Sequence, residues 1–172
     1  MRTGVGSRDR SQRHGGQALV EFALVAPMLF LLLFSIVEFG RFVYYANVLN
    51  DATREGTRYA IVHGAKALCP SGPLPGGPPP PTNACDQTGQ KVIDTVRRFA
   101  IGVIPDGDFQ IYVCWGTPDP SNPGSAAFCN QTNNGRGEPV RVTLEYRFKT
   151  LVPIVPLPTI PIHAESTLVI NH

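Results

Sequence analysis

A chain of 172 residues with a net charge of +2 has room for one modest folded domain and is too evenly charged for bulk binding to nucleic acid. Its 17 prolines and 17 glycines commit much of the length to turns and loops. The charge is uneven locally: Arg2, Arg8, Arg10 and Arg13 precede the most apolar stretch, with Asp9 the only acid among them.

Residues 1–16, MRTGVGSRDRSQRHGG, are polar, basic and glycine-rich, without apolar periodicity, and are expected to form a disordered leader. Residues 17–40 follow as a membrane segment. Residues 22–37 carry no charge, and Ser35 is their only polar side chain. That run falls a little short of the roughly 20 residues a spanning helix needs; extending it to 18–40 supplies the length and brings a carboxylate near each end, Glu21 and Glu38. By the positive-inside rule the basic leader stays in the cytoplasm and the rest is exported. A secretory signal would place a small-residue cleavage site after its apolar run, whereas here Gly15 and Gly16 stand before it.

Beyond Gly40 the apolar residues thin to a stripe of Phe42, Ala46, Leu49, Ala52, Gly56, Tyr59 or Ala60, and His63. The three-to-four spacing predicts that the helix continues through residues 41–64 with one face against a partner. Asn47, Asn50, Arg54 and Arg58 take the wet face. No proline interrupts residues 28–64, so one helix of some 45 residues, close to 70 Å long, is expected. Pro27 removes one backbone bond within the membrane segment and kinks or loosens it. Glu38 is spaced to pair with Arg41, and Glu55 with Arg58.

Three of these stretches, GGQALVEFALVAP, IVEFGR and DATREGTRYA, occur in that order over residues 15–60. In this the chain closely resembles the TadE-like family, the minor pilin-like proteins of the Tad (tight adherence, Flp) branch of type IV pilus systems. The resemblance implies a single-pass protein of the inner membrane, cut by a prepilin peptidase between Gly16 and Gln17. Glu21 then becomes the fifth mature residue and neutralises the amino terminus of a neighbouring subunit. Glu21, Pro27, Glu38, Arg54 and Arg58 are the candidate subunit-assembly residues. The implied partners are other pilin-like subunits, the prepilin peptidase and the inner-membrane pilus platform.

The remainder is expected to be an exported α+β head. Residues 65–86 contain CPSGPLPGGPPPPTNAC, too dense in proline for a packed element, and are read as a Pro/Gly-rich loop. In the head, residues 87–172, the segment 87–103 is a short helix with Val92, Val96, Phe99 and Ala100 on one face. Residues 109–115, FQIYVCW, form a strand with Phe109, Ile111, Val113 and Trp115 on one side. Residues 138–150 alternate cleanly, with Val140, Val142, Leu144, Tyr146 and Phe148 inward. Prolines 153, 156, 158 and 161 make residues 151–166 an extended crossing segment, and the last run, IHAESTLVIN, a final strand. Together these predict a small antiparallel sheet packed on the long helix, as in pilins. The sequon at Asn130, Gln131 and Thr132 is short enough to arise by chance.

All four cysteines, Cys69, Cys85, Cys114 and Cys129, lie beyond the membrane segment. An even count in an exported region predicts two disulfides, for which three connectivities exist. Cys69–Cys85 and Cys114–Cys129 are favoured because each staples a loop locally; free buried thiols are the alternative. No CxxC pair supports a zinc site. Walker, GxSxG and HExxH motifs are absent from the sequence. His63 and His163, with Glu165, are the one grouping an enzyme would require. The chain is therefore expected to be non-catalytic, with no metal, cofactor, small-molecule substrate or nucleic-acid partner. A membrane-anchored extracytoplasmic binding or adhesion domain that never enters a filament is the competing reading.

Overall fold

The computed structural model describes residues 14–75, 86–102, 104, 108–117, 133–151 and 159–171. The elements are α1 (His14–Val62), α2 (Gln90–Ile101), β1 (Phe109–Trp115), β2 (Pro139–Phe148) and β3 (Ile160–Val169). The chain divides into two compact units, Met1–Gly40 and Arg41–His172. It is an α+β protein with a long N-terminal helix and a small antiparallel sheet.

In the first unit, α1 begins at His14 and contains Pro27 without a break in the assigned helix. Pro27 has no N–H to offer the carbonyl of Ala23, one turn back. The polar leader was expected to reach Gly16 without structure, whereas residues 14–16 already belong to the helix. Gly15 and Gly16 each cost about 1 kcal/mol relative to alanine, but adding residues to an existing helix is far less costly than nucleating one. Every large apolar side chain from residue 19 to residue 39 is exposed within the chain. Ser35 spends its hydroxyl on the carbonyl of Leu31, at 2.7 Å, leaving no unsatisfied polar hydrogen in the apolar run.

In the second unit, residues 41–62 of α1 lie with α2 against one face of the sheet, whose order is β1-β2-β3. β2 is central and antiparallel to both neighbours, with Leu144 opposite Ile111 on one side and Ala164 on the other. The core comprises Leu49, Ala52 and Ala60 of α1, Val92, Val96 and Ala100 of α2, and the inward row of β2 from Val140 to Phe148. This inward row is the one its alternation predicts. Ala52, Gly56 and Ala60 recur every four residues, and this row of small side chains lets α1 close on its neighbours. A Cβ at Gly56 would overlap Val96 Cγ2. The close neighbour is thus chiefly a side chain of α2, with Val142 of the sheet behind it.

At the Arg41 end of the unit, packing becomes aromatic. Phe42 meets Phe148 edge-on at 5.6 Å, and Tyr45 meets Tyr146 at 5.9 Å. Arg41 places its guanidinium 5.5 Å from the centre of the Phe148 ring. Further along α1, Thr53 and Thr57 are fully buried although the stripe contains no polar position there. Both back-bond within the helix, Thr57 Oγ1 donating to Thr53 O at 2.6 Å and also reaching Ser166 O at 3.3 Å, which meets the need of a buried hydroxyl.

Three further expectations are corrected. Phe99 was placed on the inner face of the short helix, but α2 buries Val92, Val96 and Ala100 and leaves Phe99 exposed. These three positions, four apart, already fill the narrow strip that two layers allow, and Phe99 falls beside it. The final strand starts at Ile160 and so includes Pro161. Ile170 exchanges backbone bonds with Gly137 and Glu138, so alternation turns the backbone of Pro161 away from β2. The missing N–H falls on an edge that no other strand among the described residues pairs with, where proline is tolerated.

The third correction concerns the beginning of the Pro/Gly-rich loop, which is packed. Pro70, Ser71 and Gly72 are buried. Asn134, also fully buried, donates through Nδ2 to Ser71 O at 2.8 Å and through its backbone to Pro73 O at 2.7 Å, while its carbonyl accepts from Ala65 N. The Trp115 ring fills the space over Gly72, where φ is +95° and a Cβ would overlap the indole. Residues 76–85 of the loop, and the sequon, lie outside the described residues.

Candidate functional site

Gly16, Gln17, Val20, Glu21 and Leu24 line one open groove on the first turns of α1. They fall together because residues at i, i+4 and i+7 share a helix face. Glu21 is exposed among leucine, valine and phenylalanine side chains that are themselves exposed. Nothing lies within 4 Å of where a Gly16 Cβ would stand. The expected cut between Gly16 and Gln17 therefore falls inside the first turns of a helix, at a glycine that the packing of the chain does not require.

The other sequence-derived assembly residues are strung along the same helix. Pro27 stands six residues after Glu21. Glu38, near the end of the first unit, is half-buried. Arg54 lies 3.9 Å from Asp51 and Arg58 4.0 Å from Glu55, all four being substantially exposed. Pairs of this kind contribute about 0.3–0.5 kcal/mol, so they shape a solvated face rather than hold the fold. Residues 16–58 thus present an exposed apolar rod followed by a charged outer stripe whose opposite face is buried.

One helix among the described residues is long and apolar enough to cross a membrane, and none of its most apolar window is buried within the chain. A core helix of a soluble protein would bury that window. Residues 16–58 match the family model described as TadE-like protein. Over this segment the chain is similar to TadE-like proteins. That likeness supports, at the level of the family, a pilin-like role associated with Tad pili. The match covers about a quarter of the chain and stops within α1. Neither a curated protein nor a solved structure matches the chain.

The head holds a polar hub that the sequence did not mark. The carboxylate of Asp86 accepts from the Ser71 hydroxyl at 2.9 Å, from the hydroxyl and backbone N–H of Thr88, and from the backbone N–H of Lys91 at 2.7 Å. The residue before α2 is Gly89, with φ +79° and no side chain to cap the helix. Asp86 therefore reaches in from three residues upstream and satisfies an N–H of the first turn. Partial burial works against its negative charge, but the hydrogen bonds from Lys91, Thr88 and Ser71 outweigh it and hold the carboxyl below the usual carboxylate range. An acid three residues ahead of a glycine is a weak signal, because the capping geometry depends on the turn between them.

Cys69 and Cys114 are each disulfide-bonded, and no cysteine is free among the described residues. Cys85 and Cys129 lie outside the described residues. The histidines are not brought into one site with Glu165. His63 stacks on Tyr59 at 4.0 Å and its Nδ1 lies 2.9 Å from the Tyr59 carbonyl. His163 stands 3.6 Å from Glu145 on the outward sheet face, and Glu165 instead pairs with Arg141 at 3.6 Å.

Proposed function

We propose that this chain is a non-catalytic pseudopilin or minor pilin-like subunit of a Tad-type pilus or secretion filament, released from its leader by cleavage between Gly16 and Gln17. Residues 17–40 anchor it once across the cell membrane, with the leader cytoplasmic and the head outside. The observation that carries this reading is the combination of an exposed apolar helix with one acid, Glu21, placed five residues beyond an otherwise unneeded glycine. A lone carboxylate at that depth is unfavourable by up to a few kcal/mol. The amine created at Gln17 of a neighbouring subunit offsets that cost, because two opposite charges attract strongly where water is excluded. Cleavage thus generates both the free helix end and its counter-charge.

In this reading the partners are other pilin-like subunits, the prepilin peptidase and the inner-membrane platform. The work is physical: lateral packing of helices, pairing at Glu21 and display of the head. Cys69–Cys85 and Cys114–Cys129 are the proposed disulfides, each closing a short loop. A non-reduced digest should yield these two linked peptide pairs; a cross-linked Cys69–Cys129 peptide would overturn the connectivity.

The deciding experiment is the intact mass of the membrane-extracted protein with identification of its N-terminal peptide. A terminus at Gln17 with a free amine is expected; a cyclised Gln17 would establish the cut but remove the amine that Glu21 is proposed to pair with. Retention of residues 1–16 would sink the processing step and favour a membrane-anchored binding domain outside any filament.

A further inference from the structure

We propose that the end of the head carrying Arg41 rests on the phospholipid headgroups of the membrane that holds residues 17–40, an inference that depends on the membrane-anchored reading above. Arg41 is bonded directly to Gly40, the last residue of the first unit. Consecutive Cα atoms lie about 3.8 Å apart, so whatever surface residue 40 meets, Arg41 meets within one residue. The position of Arg41 on the sheet then fixes which end of the head this is. Its guanidinium lies 5.6 Å from the Tyr45 ring and 5.5 Å from the Phe148 ring. Phe148 closes β2 opposite Ile160, where β3 starts, and β1 starts at the same end, with Phe109 opposite Tyr146.

The side chains gathered at this end suit the boundary between hydrocarbon and water. Tyr44, Leu151 and Ile160 are 55%, 69% and 41% exposed, leaving apolar surface uncovered by the chain. Arg147 and Lys149 stand exposed beside them. Tyrosine, aliphatic and cationic side chains together are the mixture that interfaces select: the rings and stems sit at the boundary, while the charged ends reach the phosphates.

A groove of about 560 Å³ opens here on the outward sheet face, lined by Arg147, Lys149 and His163 and also by Asp108 and Glu145. It presents both signs of charge, already set against each other: Lys149 lies 2.8 Å from Asp108 and His163 3.6 Å from Glu145. A headgroup phosphate meets the exposed Arg147 and competes with Asp108 for Lys149. Exposed apolar side chains at Leu151 and Ile160, close in the chain and register to the Phe148 end of β2, gain from a boundary that water alone does not provide.

Brominated-lipid quenching of tryptophan fluorescence tests this on the full chain reconstituted in phosphatidylcholine–phosphatidylglycerol vesicles. The only native tryptophan, Trp115, is 1% exposed in the core and supplies an internal background. Ile160→Trp and, independently, Leu151→Trp each add a reporter at a position already exposed, so neither demands repacking. Phe30→Trp reports whether residues 17–40 are in the bilayer at all. The expected result is that bromine near the glycerol end of the acyl chains removes about half of the added Ile160→Trp and Leu151→Trp emission and leaves the Trp115 background unchanged. With Phe30→Trp quenched, an unquenched head reporter open to aqueous acrylamide would overturn the inference and leave the end in water. An unquenched head reporter shielded from acrylamide would also overturn it and assign the end to a neighbouring protein subunit. An unquenched Phe30→Trp would instead overturn the membrane reading on which the inference stands.

Discussion

Asp86 shows how one side chain can connect three parts of a small head. Its carboxylate receives the Ser71 hydroxyl from the loop, Thr88 from the turn and Lys91 N–H from α2. Asp86→Asn keeps the shape but loses the charge and turns one acceptor into a donor facing N–H groups. Loss of a helix cap typically costs about 0.5–2 kcal/mol, and a fall of that size is expected in the denaturation free energy of the detergent-solubilised full chain. The pH dependence has a defined sign. The folded pKa lies below the ordinary 3.8, so near and below that value the unfolded chain binds more protons. The stabilisation is therefore complete above the unfolded value and disappears as pH falls through the folded one. The wild-type chain should lose stability more steeply than Asp86→Asn as pH is lowered below about 4; parallel curves for the two would show that Asp86 is not the group responsible.

Among the elements, two glycines of α1 make opposite predictions. Gly56 faces Val96 so closely that a Cβ overlaps it, whereas nothing lies within 4 Å of a Cβ at Gly16. Gly56→Ala should destabilise the head by about 1–3 kcal/mol, the usual cost of overpacking, read as a lower unfolding midpoint. Gly16→Ala should leave that midpoint unchanged and favour the helix that already runs through this position, while blocking the cut at Gln17; normal processing of Gly16→Ala would remove the argument that this glycine serves the peptidase. The same comparison explains what the sequence made legible. The inward row of β2 and the buried strip of α2 follow from periods of two and of about four, which packing imposes on residues adjacent in the chain. The spacing from Gly16 to Glu21 is likewise local, and so could be read without a fold. By contrast, Asn134 bonds Ser71 across 63 residues, and Asp86 caps a helix through an intervening turn. Neither interaction has a period, and polar loop residues look alike until the loops meet. Pro161 was misplaced for a related reason: proline excludes only the backbone direction that faces a partner strand, and that direction is known only once the sheet order is known.

On the scale of the whole molecule, the division at Gly40 separates two tasks that can be tested apart. The second unit buries its own core, from Leu49 to Ile170, and needs nothing from Glu21. The first unit exposes every large apolar side chain between residues 19 and 39, and fully burying each Leu, Val or Phe is worth about 1.5–3 kcal/mol. Membrane insertion is therefore strongly favoured with or without one carboxylate, and removing the acid can only make it easier. Glu21→Ala should accordingly match wild type in membrane-fraction abundance and in the unfolding midpoint of the head. Assembly is different, because moving a helix from lipid into a helical bundle gains little from apolar contact alone; lipid tails are as apolar as leucine. In the proposed filament, a charge pair between Glu21 and a neighbour's new amine would be a term that distinguishes the assembled state from the dispersed one. Glu21→Ala should leave cleaved, correctly inserted subunits that yield few filaments, and Glu21→Gln should behave similarly if charge rather than shape is responsible. Wild-type filament yield from Glu21→Ala would sink the pairing role. Full yield from Glu21→Gln with loss in Glu21→Ala would replace the ion pair by a neutral hydrogen bond at the same position.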